Sequence, residues 1–161
     1  MQNVEKSAGK VPAVTLGFWA IKILATTLGE TGGDTLSMTM NWGYLAATGV
    51  FAVLLLGLVA IQISAHSFRP WLYWATIIAS TTAGTTLADF ATRSMGIGYT
   101  GGSIMLLAFV LASLAIWKVT LGTINADDIC DRRAEIFYWL TITFSQTLGT
   151  ALGDWLADTG G

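Results

Sequence analysis

The sequence predicts an all-α polytopic membrane protein, a single membrane domain of tandem parallel repeats, each of two transmembrane helices, with about five helices in the chain. Three observations predict it. Of 161 residues, 53% are hydrophobic and 11% charged, whereas soluble domains average about 25% charged. The stretches from Leu45 to Ala65 and from Tyr99 to Trp117 are uncharged, and each is long enough to cross about 30 Å of hydrocarbon at about 1.5 Å per residue. Finally, the chain matches itself: aligned without gaps on Trp19, Trp74 and Trp139, it brings Thr27, Thr82 and Thr147 into register, then Gly29, Gly84 and Gly149, then Asp34, Asp89 and Asp154. Self-similarity at a fixed spacing marks a repeat architecture.

The first element is expected over 13–40. Lys6 and Lys10 precede its apolar stretch as in a signal peptide, but Lys22 interrupts it and no small-residue cleavage site follows, which makes it a retained helix. It carries the motif TTLGETGGD. A turn at Asn41 to Gly43 leads to a return helix over 43–66, closing repeat 1 at 13–66. Repeat 2, over 71–121, has the motif helix 71–94 with TTAGTTLAD, a turn at Met95 to Gly98, and a return helix over 98–121. A longer connection from Gly122 to Arg133 carries Asp127, Asp128 and Asp131. Repeat 3, over 134–161, holds the helix 134–158 with QTLGTALGD and stops there, so it is expected to be incomplete: either the chain is a truncated form or a homo-oligomer completes the missing repeat.

Two crossings per unit make the motif helices parallel. Lys6, Lys10, Arg69, Lys118, Arg132 and Arg133 fall on one side and Arg93 on the other, which places the N-terminus in the cytoplasm of a multi-pass protein of the cell (inner) membrane. No basic face interleaved with aromatics exists, which excludes nucleic acid as a partner and leaves membrane lipid. One cysteine, Cys130, and one histidine, His66, make thiolate or imidazole metal cages and haem sites unexpected.

On a helix Thr27, Glu30, Thr31 and Asp34 share one stripe, as do Thr82, Thr85, Thr86 and Asp89, and Thr147, Thr150 and Asp154. A second stripe of period four is small throughout: Ala25, Gly29, Gly33 and Ser37; Ser80, Gly84, Ala88 and Thr92; Ser145, Gly149, Gly153 and Ala157. It is the pattern that lets membrane helices pack closely, and its unbroken period predicts continuous helices. Trp74 and Trp139 are expected at the interface. The aspartates then lie about 23 Å further on, and an acid at the centre of a membrane helix costs about 2.5–3.5 kcal/mol on insertion scales. They are expected to face inward, around an axis along the membrane normal. Rings of carboxylates and hydroxyls select cations, and an all-oxygen donor set favours hard ones: Mg²⁺, Ca²⁺, Mn²⁺ or alkali ions.

Glu30, Asp34, Asp89 and Asp154 are therefore the candidate metal ligands of a cation transporter or channel, with protons as a candidate coupling ion. Thr27, Thr31, Thr82, Thr85, Thr86, Thr147 and Thr150 are the supporting oxygens. Lys22 is either a snorkelling side chain or a counter-ion for the acids. No cofactor beyond such a cation is expected. The structural alternative is a non-transporting scaffold or partner subunit whose acids pair internally, as Asp89 can with Arg93 at i+4. A third class, an intramembrane aspartyl hydrolase, needs two carboxylates about 3 Å apart, whereas here the acid recurs in three equivalent places. The balance is against an enzyme.

The segments LGFWAIKILATTLGETGGDTLS, LYWATIIASTTAGTTLADFATR with MGIGYTGGS, and RRAEIFYWLTITFSQTLGTALGDWLAD span almost the whole chain. On them the chain resembles the bacterial membrane-anchored proteins that carry a tandem repeat of unknown function, a two-helix repeat with a prominent tryptophan and a T-x-G-x-x-x-x-D motif. The resemblance implies architecture and brings no activity. GETGGD is also loosely similar to the Glu-x-Gly-Asp signatures of some Mn²⁺/Ca²⁺ transporters.

Overall fold

A computed structural model describes residues 9–125, 129 and 131–159; Lys6, Asp127, Asp128, Cys130 and the final Gly160 and Gly161 lie outside the described residues. These residues form five α-helices: α1 (Leu16–Asp34), α2 (Tyr44–Ser64), α3 (Pro70–Asp89), α4 (Gly98–Leu121) and α5 (Arg132–Thr159). Thr15 caps α1 by accepting a hydrogen bond from the Phe18 amide at 3.2 Å. Pro70 opens α3 at a position where its missing N–H costs nothing. Gly122 ends α4 in the left-handed conformation and donates its N–H to the Lys118 carbonyl at 2.9 Å.

The motif helices do not stay α-helical to their ends. After Asp34 the chain continues as a π-helical turn, Thr35–Thr39, and after Asp89 as another, Phe90–Ser94. The two turns occupy the same place in their repeats, and so do the positive-φ pairs that follow: Asn41 and Gly43 in repeat 1, Gly96 and Gly98 in repeat 2. The repeat thus extends from the sequence into the backbone of the turn. The sequence periodicity anticipates an unbroken helix and does not reveal the wider turn, because adding one residue to a turn leaves the residue types unchanged.

α3 occupies the middle. It packs against α1, α2 and α5, while α4 packs against α5 and against the π turn that extends α3. The motif helices therefore stand in the order α1, α3, α5, and each return helix lies on the next motif helix, α2 on α3 and α4 on α5. At the tryptophan end a core cluster joins Tyr73, Ile77, Trp117, Ile129, Tyr138 and Trp139. Trp139 is buried and Trp74 is partly buried against the same cluster, whereas Trp19 is exposed. Beside the cluster Lys10 ties the leading segment down, donating to Glu135 Oε2 at 2.8 Å and to the Ile63 carbonyl at 3.2 Å.

Burial follows an inverted pattern. The centre of α3 buries Thr76, Ser80, Thr81, Thr82, Thr85 and Thr86, while Leu45, Val53 and Leu56 of α2 and Ile104, Leu111 and Val119 of α4 are exposed. The buried hydroxyls are satisfied mostly by their own helices: Thr76 donates to the Leu72 carbonyl, Thr82 to Ile78 and Thr147 to Thr143, at 2.7–2.8 Å. Among the described residues, α2 and α4 are long and apolar enough to cross a membrane, with mean hydropathies of 2.4 and 2.2. α1, α3 and α5 do not reach that mean, because glycines, threonines and acids occupy their shared faces.

Candidate functional site

The small stripe sets how closely the motif helices approach. Gly29 meets Thr81, and Gly33 meets Thr82, Thr85 and Thr86, so the stripe of α1 lies on the threonine face of α3. Gly84 meets Thr147, which places the stripe of α3 on the threonine face of α5 in the same manner. Across that second interface, equivalent positions of repeats 2 and 3, 65 residues apart, touch: the Tyr73 and Tyr138 hydroxyls lie 2.7 Å apart, the Thr85 and Thr150 hydroxyls 3.5 Å apart, and Thr81 donates to Gln146 Oε1. With the helices locked in this register, their aspartates reach the same end.

There a cavity of about 280 Å³ opens between α1, α3 and α5. All four acids singled out by the repeat line it: Glu30 and Asp34 from α1, Asp89 from α3 and Asp154 from α5. Thr85, Thr150, Met38, Gly149, Gly153 and Arg93 complete the wall. Of the expected supporting oxygens, Thr85 and Thr150 are brought to the cavity. Thr27 and Thr31 are exposed on α1, Thr82, Thr86 and Thr147 are buried at helix contacts, and none of these five lines it. Lys22 stands apart too, its Nζ buried without a hydrogen-bond partner.

Arg93, on the π turn after Asp89, organises the acids. Its Nε is 3.0 Å from Asp89 Oδ1 and its Nη2 3.2 Å from Asp154 Oδ2. The guanidinium lies over the Tyr99 ring, 5.9 Å from its centroid, and Tyr99 in turn donates to Asp158. Asp89 is 1% exposed, so its pairing takes place out of bulk solvent. The i+4 pair of Asp89 and Arg93 is legible in the sequence, but the bridge to Asp154, from a helix 61 residues away, has no local signal. Glu30 and Asp34 face the same space, and among the described residues neither has a basic side chain within ion-pair distance. Among the described residues, no group of three or more His, Cys, Asp or Glu side chains is gathered tightly enough to hold a metal ion. The cavity thus offers a net acidic wall with one internal cation and no closed coordination cage.

The profile of the Repeat of Unknown Function (DUF347) matches residues 17–67, 72–127 and 137–161, the three copies that pack around this cavity. The chain belongs to the DUF347 repeat family. The family's matched segments coincide with the three motif helices and the two return helices, and each contributes one of the equivalent aspartates, Asp34, Asp89 and Asp154. Comparison with curated proteins and with solved structures gives no match.

Proposed function

We propose that the chain is a multi-pass protein of the cell membrane, N-terminus on the cytoplasmic side, that passes a hard cation through the acid-lined cavity between its motif helices. The observation that carries this reading is the convergence of Glu30, Asp34, Asp89 and Asp154, from three separate helices, on one cavity. Membrane placement draws on the inverted burial, with threonines inside and leucines, valines and isoleucines outside, and on α2 and α4. Hydroxyl-rich interiors bonded to their own backbone suit a solvent in which no polar group can be left unmatched.

In this reading Arg93 is a resident counter-ion. Four acids against one arginine leave the cavity negative, and a cation entering beside Glu30 and Asp34 competes with Arg93 for Asp89 and Asp154. Apart from the Met38 thioether and the Arg93 guanidinium, the side chains lining the space offer oxygen donors, which suits Mg²⁺, Ca²⁺, Mn²⁺ or alkali ions with part of their hydration retained. Flux into proteoliposomes tests the proposal: an Asp34→Asn plus Asp89→Asn protein should lose cation uptake, and unchanged uptake overturns it. The second reading, a non-transporting scaffold, draws on the Asp89–Arg93–Asp154 bridge, which ties α3 to α5; it predicts that the same double variant loses stability while the parent protein shows no flux.

A further inference from the structure

At the tryptophan end, opposite the acid cavity, a second cavity of about 350 Å³ opens between the end of α2 and the start of α5. Ser64 closes α2 and Ala65 caps it, while Arg132 opens α5 and Glu135 follows one turn later. These four line the cavity together with His66 and Lys10. The last carbonyls of a helix carry partial negative charge and its first amides partial positive charge, so the two walls differ in sign before any side chain is counted. Arg132 is exposed at the positive wall. Lys10 uses two of its three N–H donors, on Glu135 Oε2 at 2.8 Å and on the Ile63 carbonyl at 3.2 Å, which leaves one. Glu135 is 2% exposed, and its Oε1 is buried without a hydrogen-bond partner among the described residues. A buried carboxylate oxygen left without a donor is costly, and this one calls for a ligand that brings N–H or O–H groups. The level is that of a membrane surface. Among the described residues α2 is one of the two helices apolar enough to cross, and it ends here. Trp71, in the first turn of α3, is 90% exposed, as an interfacial aromatic is, and Arg69, Lys118 and Arg133 belong to the same end. Further along the two helices exposed side chains are apolar, Leu54 and Ile61 on α2, Ile136 and Leu140 on α5.

We propose that this cavity binds the headgroup of a phospholipid that carries both a phosphate and a primary ammonium, an aminoethyl phosphate ester, from the cytoplasmic leaflet in the orientation proposed above. The phosphate would sit at the start of α5, on Arg132 and the remaining donor of Lys10, where helix amides also favour an anion. The ammonium would lie toward the end of α2 and donate to Glu135 Oε1. Lys10 itself shows that one ammonium reaches Glu135 and a carbonyl of the last turn of α2 together. A trimethylated headgroup has the same two charges but no N–H to give, and a glycerol headgroup has donors but no positive charge, so neither meets both walls. Basic pockets between membrane helices on the cytoplasmic side are a general mode of headgroup recognition; the buried acceptor is what adds the ammonium. The inference rests on the membrane placement above and is independent of what the acid cavity conducts.

The full chain in neutral detergent micelles, titrated with short-chain phospholipids and read by native mass spectrometry, should bind phosphatidylethanolamine saturably. Phosphatidylcholine should bind about tenfold more weakly, the worth of a hydrogen bond to a charged group, and phosphatidylglycerol should also bind more weakly. Arg132→Gln should weaken the ethanolamine and choline lipids alike, by about tenfold. Lys10→Met plus Glu135→Leu, which leaves no stranded charge, should bind those two lipids equally. Arg69→Gln, at the same end but outside the cavity, should change nothing. The proposal is overturned by an absence of saturable binding, by equal affinity of the parent for the two lipids, by phosphatidylglycerol binding as tightly, by indifference to Arg132→Gln, or by a preference that survives the double variant. Glycerophosphoethanolamine binding as tightly as the lipid would also overturn it, by assigning the cavity to a soluble phosphoester. The lipid comparisons on the parent protein stand whether or not a variant folds. A chain stripped from membranes by alkaline carbonate fails the membrane placement, whereas one that stays embedded and ignores the headgroup fails this inference alone.

Discussion

Equivalent glycines of the repeat should respond oppositely to the same substitution. In Gly29→Ala the new methyl would sit 2.8 Å from Thr81 Cβ, 2.9 Å from Thr81 Cγ2 and 3.2 Å from the Ile78 carbonyl oxygen. None of these atoms yields easily, since a helical β-branched side chain has little rotamer choice and a carbonyl moves only with its helix. α1 must therefore back away from α3, a packing defect of about 1–3 kcal/mol. At Gly149 the methyl meets nothing within 4 Å. Both glycines sit inside helices, so the intrinsic gain of about 1 kcal/mol on replacing glycine by alanine is common to both and cancels in the comparison. Reversible unfolding in mixed micelles, followed by tryptophan fluorescence, should place Gly29→Ala about 1–3 kcal/mol below Gly149→Ala, with the latter at or above the parent. Equal stabilities, or a larger loss at Gly149, would refute the argument that the stripe is engaged in one copy and free in the other.

Two other perturbations follow from ion pairs. Lys10→Met leaves Glu135, 2% exposed, without its 2.8 Å partner, and should cost about 3–5 kcal/mol, as stranded buried charges do; adding Glu135→Leu should recover much of it, and a double variant no more stable than the single one counts against a stranded charge. Arg93→Gln frees Asp89 and Asp154 together, so under the transport proposal half-saturation of cation uptake should move to lower concentration; a shift to higher concentration would show that Arg93 supports binding instead of opposing it.

Much of this architecture is legible in the sequence because it depends on periodic residue types. About five helices are expected and five are present among the described residues, with boundaries differing by a few residues. The stripe of small residues and the common end of the aspartates follow from spacing along a helix, and the cavity gathers the four acids that spacing selects. The remainder depends on which elements meet. Hydroxyl spacing treats Thr27, Thr82 and Thr85 alike, yet Thr85 borders the cavity and Thr82 is bound to its own helix. Tryptophan is at home both at an interface and in a core, so residue type alone does not reveal that Trp139 is buried. The contact of Lys10 with Glu135 crosses 125 positions, and an isolated charge near a helix start carries no mark of its partner.

The π turns give the cavity walls unequal mechanics. A turn of that kind stores a surplus residue, and yielding it to the neighbouring α-helix would screw the following chain by roughly 100° and about 1.5 Å. Asp34 and Asp89 each stand at the threshold of such a store, whereas Asp154 sits inside α5, α-helical from Arg132 to Thr159. Two of the three equivalent acids are thus mounted beside slack in the backbone, and the third on a stiff post against which their displacement would be measured.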